Sequence, residues 1–291
     1  MPNKPICAHP IASSDTVDDD RRHLLHRNNR AWDTLYGATA HLVWGRSPAP
    51  FLSEYLPRLQ DALTKESRIL DIATGEGRNL DLLLKTDAMV YACDFSQNGL
   101  AKIPIGSAKK VRRMRCDITT LPIANETFAA AFLIDVIETI PLVEDVIREA
   151  GRILVPNGVL LCNIPGPDDD IACKDMFSLD DDAFLYKERY YYRFYTEDEA
   201  CRLLEENGFS VDDVSLFTWW EAPHPEFREA RHQHTSRVFL LRKKKSVKAD
   251  LHERLCQSVV QDTRRRGEEG ASIHRPRRDG PGRSRTRNKL R

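Results

Sequence analysis

Apolar positions fall first into a helical rhythm. Leu24, Leu25, Trp32, Leu35, Tyr36, Leu42, Val43 and Trp44 recur at helical spacing, Ser47-Pro48-Ala49-Pro50 interrupts, and Phe51, Tyr55, Leu56 and Leu59 resume on one face. This pattern predicts helices ahead of the first strand. From residue 69 the rhythm changes. Short apolar runs at 69–72, 89–93, 111–115, 128–134 and 159–162 read as strands, with helices at 79–84, 97–102 and 143–154 between them. That order predicts an α/β fold with a parallel sheet covered on both faces, whose ligands gather beyond the carboxyl ends of the strands.

Residues 165–195 read as loop, rich in charge at Asp168-Asp169-Asp170 and around Arg189-Tyr190-Tyr191-Tyr192-Arg193. Thr196 and Glu199 then form a capping-box pattern, Asn207-Gly208 a helix stop, and 211–218 with 237–241 a closing strand pair.

Composition adds a boundary. The formal charge is zero, yet residues 243–291 hold sixteen Lys or Arg against six Asp or Glu. That tail has too few apolar residues to offset the entropy of ordering and reads as disordered; a basic tail can hold nucleic acid through counterion release. The expected organisation is a disordered 1–20, helices over 21–66, a folded domain over 67–242 and the tail over 243–291. No apolar run approaches the roughly 20 residues of a membrane span, and the N-terminus is not signal-like, so a cytoplasmic protein without a membrane span is expected. Seven widely spaced cysteines include no pair at zinc-knuckle spacing and read as reduced thiols, with Cys93 and Cys162 in the core.

Chemistry concentrates at 68–79, where a buried strand ends on Asp71 and runs into Ala73, Gly75 and Gly77. The glycines let the backbone turn tightly and approach a ligand. A dinucleotide loop would need a third glycine where Leu80 stands, and a phosphate-binding loop would need Gly-Lys-Ser or Gly-Lys-Thr. Asp71 would repel a pyrophosphate but accept from an ammonium, which suggests a nucleoside bearing a positive amino-acid end. Asp71, Asp94 and Asp117 each also suit a helix cap or turn, but all three stand at successive strand ends.

Over 67–242 these residues resemble the class I S-adenosylmethionine-dependent methyltransferases, particularly the small-molecule, ubiquinone-biosynthesis-like branch known as methyltransferase type 11. The family's Asp-x-Gly-x-Gly-x-Gly falls on Asp71-x-Ala73-x-Gly75-x-Gly77, with Ala73 replacing the first glycine. Asp94-Phe95 stands where the family takes the ribose hydroxyls, Cys116-Asp117-Ile118 where it holds adenine, and the run from Ile134-Asp135 to Glu138 matches its fourth-strand segment. The resemblance implies a Rossmann-like doubly wound sheet, mostly parallel with an antiparallel last strand, helices on both faces and an N-terminal helical lid. It implies S-adenosylmethionine bound by Asp71, Ala73, Gly75, Gly77, Asp94, Phe95, Asp117, Ile118, Ile134 and Asp135. It also implies methyl transfer to an O, C or N atom of a small molecule. Alternatives are a catalytically idle methyltransferase-like module, or an RNA methyltransferase using the tail for affinity.

The acceptor side is expected among the N-terminal helices and 165–236. Tyr36, Trp44, Arg46, Arg189 and Arg193 are candidates for acceptor contact, and His41, His224, His232 and His234 for a general base. His232-x-His234 has the look of a metal pair. With no third ligand at recognisable spacing, no metal is expected.

Overall fold

The computed structural model of the chain describes residues 14–60, 63–104, 106, 110–172, 175–180 and 182–244, with side chains from residue 19. Thirteen expected N-terminal residues and the basic tail beyond Lys244 lie outside the described residues.

Two helices, α1 (Ser14–Ala38) and α2 (Leu52–Gln60), precede β1 (Arg68–Ile72), α3 (Leu80–Leu83), β2 (Met89–Asp94), α4 (Gln97–Lys102), β3 (Arg112–Arg115) and β4 (Phe128–Leu133). A single 3-10 turn at Ile137–Thr139 leads to α5 (Val143–Ile153) and β5 (Leu154–Pro165). Then come β6 (Met176–Ser178), β7 (Ala183–Tyr186), β8 (Tyr190–Arg193), α6 (Glu197–Glu206), β9 (Phe209–Glu221) and β10 (His232–Lys243).

The main sheet has seven strands in the order β3-β2-β1-β4-β5-β10-β9. β1 to β5 pair in parallel, while β10 is antiparallel to both β5 and β9. Strand order reverses between β1 and β4, so the crevice beyond their carboxyl ends is the topological switch point.

Period-two alternation explains why the strands read as continuous apolar runs. Leu70, Ala131, Leu133, Leu160, Cys162, Phe239 and Leu241 pack on one face with the buried stripes of α5 and α6. Ile69, Ala130, Phe132, Leu161, Val238 and Leu240 pack on the other with α2, α3 and α4. Both faces are buried, as a parallel sheet requires.

A third cluster covers the carboxyl ends. Trp32, Leu35, Tyr36 and Val43 join Tyr186, Tyr190, Tyr192 and Phe227 in an aromatic roof. Asn28 pins α1 beneath it: the fully buried amide donates to the Thr139 carbonyl at 2.8 Å and accepts from Tyr191 N at 2.9 Å.

Three expectations are corrected. The helix starts at Ser14, inside the polar segment read as disordered. It stops at Ala38 rather than running to Trp44, and residues 39–50 cross the crevice mouth without regular structure. The supposed loop at 165–195 contains the antiparallel sheet β6-β7-β8. Its strands of three and four residues are too short to show a period, and they are stabilised by burying Tyr190 and Tyr192 in the roof and Tyr191 against Ala183, Leu185 and Leu24 rather than by propensity.

Candidate functional site

Local geometry at the end of β1 follows from three residues with positive φ. Ala73 (φ 57°), Gly75 (φ 54°) and Gly77 (φ 78°) fold 73–77 back over the strand ends. Gly75 has no room for a side chain, since a Cβ there would meet the Tyr36 hydroxyl at 2.7 Å. Gly77 does not face the crevice; a Cβ there would meet Leu80 Cδ1 at 2.6 Å, so it serves the close packing of the turn on α3. Ala73 adopts the left-handed conformation that glycine takes at little cost. Ala73→Gly should therefore be neutral or stabilising by up to about 1 kcal/mol, raising the unfolding midpoint by a few degrees in a thermal melt. A clear loss of stability would show that the Ala73 methyl is needed for packing.

Carboxylates line up at three adjacent strand ends. Asp71, on β1, accepts from the Thr74 hydroxyl at 2.6 Å. Asp94, on β2, accepts from Gly75 N at 2.8 Å through one oxygen and from Ser96 N at 2.7 Å through the other. The helix cap that Asp94 could have made is taken by Ser96, which accepts from Gly99 N. Asp117, beyond β3, is exposed at the rim and accepts from the Thr119 amide and hydroxyl.

Asp71 and Asp94 are buried, with no cation among the described residues bonded to either, and burial pushes Asp71 up to about 7 and Asp94 up to about 6. Both lie above the ordinary 3.8, so their contribution to stability is fully present below about pH 4 and lost as pH rises through 6 to 7. The ligand-free protein should lose thermal stability between about pH 4 and 7, and Asp71→Asn should flatten that slope in melts taken across the range. An unchanged slope would contradict the assignment.

At the end of β4, Asp135 takes a positive φ of 57° and is held by Asn163, which donates to its carboxylate at 2.7 Å and accepts from its amide at 2.9 Å. Arg78, nearly buried, lies 3.4 Å from the Asp135 carboxylate and 3.1 Å from that of Glu221. Glu138 lines the crevice buried, with Oε2 lacking a hydrogen-bond partner among the described residues, and burial raises it well above the usual carboxylate range.

Opposite the carboxylates stand the roof and a histidine cluster. Trp44 donates its indole N–H to the Tyr36 hydroxyl at 3.1 Å, and its ring meets His224 and Phe227 edge-on. His224, His232 and His234, from the β9–β10 hairpin, line the same crevice as Asp71 and Asp94. Burial pulls Glu221 upward, but hydrogen bonds from His224 and His234 outweigh this and hold it below the ordinary carboxylate range. Burial pushes His232 down to about 4, whereas carboxylate partners Asp169 and Glu221 overcome the same effect at His234 and raise it to about 10.

The crevice and the open solvent at its mouth together take in about 1330 Å³. Of the expected nucleoside contacts, Asp71, Ala73, Gly75, Asp94, Phe95, Asp117, Ile118, Ile134 and Asp135 line it, together with Tyr36 and Trp44. Four acceptor-side candidates lie elsewhere. His41 is exposed and pairs with Glu226 at 3.9 Å, and Arg46 is exposed on the outside of 39–50. Arg189 is exposed in the β7–β8 turn, and Arg193 pairs with Asp182 at 2.6 Å. Arg78, Glu138, Asn163 and Glu221 are site residues that the sequence reading did not single out, although Arg78 follows Gly77 directly and Glu138 lies inside the Asp135 motif. None of the described helices is long and apolar enough to cross a membrane.

Comparison with known proteins agrees with this geometry. Residues 70–162 match the family described as "Methyltransferase domain". A demethylmenaquinone methyltransferase of Mycobacterium bovis is 31% identical over 101 residues, 34% of this chain and 42% of that protein, so the chain matches less than half the length of this relative. Among solved structures, a 1,6-didemethyltoxoflavin-N1-methyltransferase of Burkholderia thailandensis, holding 1,6-didemethyltoxoflavin and S-adenosylhomocysteine, superposes with a TM-score of 0.52 at 18% identity. The match covers 83% of this chain and 94% of that one. A SAM-dependent methyltransferase of Methanosarcina mazei gives 0.50 at 17% identity, over 69% of this chain and all of that one. The fold is the Rossmann-like α/β fold of these methyltransferase structures.

Proposed function

We propose that this chain, whose residues 70–162 carry a methyltransferase domain, transfers a methyl group from S-adenosylmethionine to an O, C or N atom of a small-molecule acceptor. One observation carries the reading. The carboxylates at three successive strand ends and the aromatic roof are two sides of a single crevice.

The residues present fit the methyl donor. Gly75 lets the backbone come close, Asp94 has lone pairs left for two ribose hydroxyls, and Phe95 and Ile118 offer flat apolar faces for adenine. Asp117 would accept from the exocyclic amine, and Asp71, buried with no cation among the described residues bonded to it, suits a positively charged amino-acid end. When bound, the donor supplies a methyl group activated on a positive sulfur. The chain's own work is then orientation and exclusion of water.

Trp32, Trp44, Tyr192 and Phe227 form the dry wall on the acceptor side. Asp135, fixed by Asn163 and Arg78 between the two halves, is placed to orient an acceptor hydroxyl or amine. The wall favours an aromatic acceptor, in keeping with the names of the similar proteins. Incubation with methyl-labelled S-adenosylmethionine and a panel of hydroxylated and aminated aromatic compounds, with RNA as a parallel arm, tests the proposal. Label in the small-molecule fraction supports it. Label confined to RNA, or donor binding with no transfer to any arm, counts against it.

A further inference from the structure

The β9–β10 hairpin brings together a donor set that methyl transfer as described does not use. Oxygen or nitrogen atoms of Glu221, His224 and His232 lie within 4.8 Å of one another. His224 Nε2 is 2.7 Å from Glu221 Oε2, and His234 Nε2 is 3.1 Å from His232 Nε2 and 3.6 Å from Glu221 Oε2. An edge of about 3.3 Å for a tetrahedron of nitrogen and oxygen ligands around zinc falls between the 2.7 Å of the Glu221–His224 pair and the 4.8 Å limit of the three-residue group, with His234 alongside.

The outward nitrogens say the same. Each ring turns Nδ1 to an oxygen: His224 to the Val43 carbonyl at 3.0 Å, His232 to the Ala230 carbonyl at 3.1 Å, and His234 to the Asp169 carboxylate at 3.1 Å. An oxygen acceptor at Nδ1 fixes each ring with Nε2 facing inward, where a bound ion would take the place of the protons shared with Glu221. Three Nε2 atoms and a carboxylate then converge on one point, and a divalent ion there would displace the protons that otherwise hold them together. Histidines that bind metals are oriented by this kind of outer hydrogen bond.

We propose that Glu221, His224 and His232 hold one divalent transition-metal ion, zinc by the donor set, with His234 Nε2 beside the fourth position. Two imidazoles and a carboxylate with one position left open are a zinc set used in catalysis, and imidazole favours zinc over magnesium or calcium. All four side chains line the crevice, so the ion is accessible to an acceptor on the roof side. The ligand class this selects is a molecule with a hydroxyl beside a second oxygen. Its hydroxyl would be made more acidic by the ion without a separate protein base. That last step rests on the proposed methyl transfer, whereas the ion site does not.

The test uses Zn²⁺ alone. The full chain is stripped with a chelator, dialysed and titrated calorimetrically, with elemental analysis of the re-equilibrated protein and thermal melts with and without Zn²⁺. One tightly bound zinc per chain and a rise in melting midpoint are expected. His232→Ala and Glu221→Gln should each weaken binding at least about tenfold, the low end of what loss of a ligand's partner costs. His41→Ala, outside the cluster, should bind as the wild type does. If a variant fails to fold, His224→Ala provides the same comparison. Failure of the stripped wild type to bind Zn²⁺, or equal binding by the wild type and the folded cluster variants, overturns the site. S-adenosylmethionine titration of the same stripped protein separates this outcome from failure of the methyl-donor reading.

Discussion

Asp94→Asn is expected to leave the protein folded while weakening S-adenosylmethionine binding more than a hundredfold. The carboxylate uses one lone pair of each oxygen on Gly75 N and Ser96 N, and offers what remains to the crevice. An amide replaces one oxygen with an N–H₂ group, which must then face one of those two backbone donors. The loop at Gly75 loses its tether on that side, and the ligand loses one charge-assisted contact outright and has the other weakened. Hydrogen bonds to a charged group are worth about 1.5 to 3 kcal/mol each, so losing one and weakening the other amounts to roughly a hundredfold or more in affinity. Folding should survive because burial already pushes Asp94 up to about 6, so the fold itself favours the neutral form that asparagine mimics. Calorimetric titration beside a thermal melt checks both halves. Affinity within about threefold of the wild type would show that Asp94 does not contact the ligand.

Glu76→Ala is expected to cost about 3 kcal/mol of stability and to release residues 39–50 from the crevice mouth. Glu76 is 2% exposed, inside the glycine turn, and reaches outward rather than toward the crevice. One oxygen accepts from Val43 N at 2.7 Å and Trp44 N at 3.3 Å, and the other lies 3.2 Å from Lys102 Nζ. Lys102 in turn bonds Thr39 and donates to the His41 carbonyl at 2.8 Å. Removing the carboxylate strands two backbone donors and a largely buried ammonium, the costly half of breaking a buried ion pair. At about 2 to 4 °C per kcal/mol for a domain of this size, the midpoint should fall by roughly 6 to 12 °C. Limited proteolysis should show new cleavage within 39–50, with Glu76→Gln intermediate in both readouts. A midpoint shift below about 2 °C would show that the segment is held by the Trp44 and Val43 side chains instead.

These two residues illustrate what the sequence made legible. Asp94 was readable because a strand end, a carboxylate and the following turn are contiguous, and the same holds for Asp71, Gly75 and Asp117. The parallel sheet was readable because strands buried on both faces appear as unbroken apolar runs. Glu76 lies in the same motif, yet its partners are 33 and 26 residues away, at Val43 and Lys102, and no local pattern connects them. The histidine cluster shows the same limit more sharply. His232-x-His234 looked like half of a metal site, but the missing ligands come from across the hairpin, where the register pairs His232 with Glu221. Alternation along two antiparallel strands brings those side chains together, and spacing along one strand cannot show it. Arg46, Arg189 and Arg193 were drawn in by their aromatic neighbours, and in the fold each is turned outward or paired with a surface carboxylate.

The central claim is that the crevice at the β1, β2 and β3 ends binds S-adenosylmethionine. Isothermal titration of the ligand-free wild-type protein with S-adenosylmethionine tests it most directly. One saturable site per chain is predicted, weakened more than a hundredfold by Asp94→Asn in a sample that melts cooperatively. A folded wild-type protein showing no saturable binding up to about 1 mM ligand would contradict it.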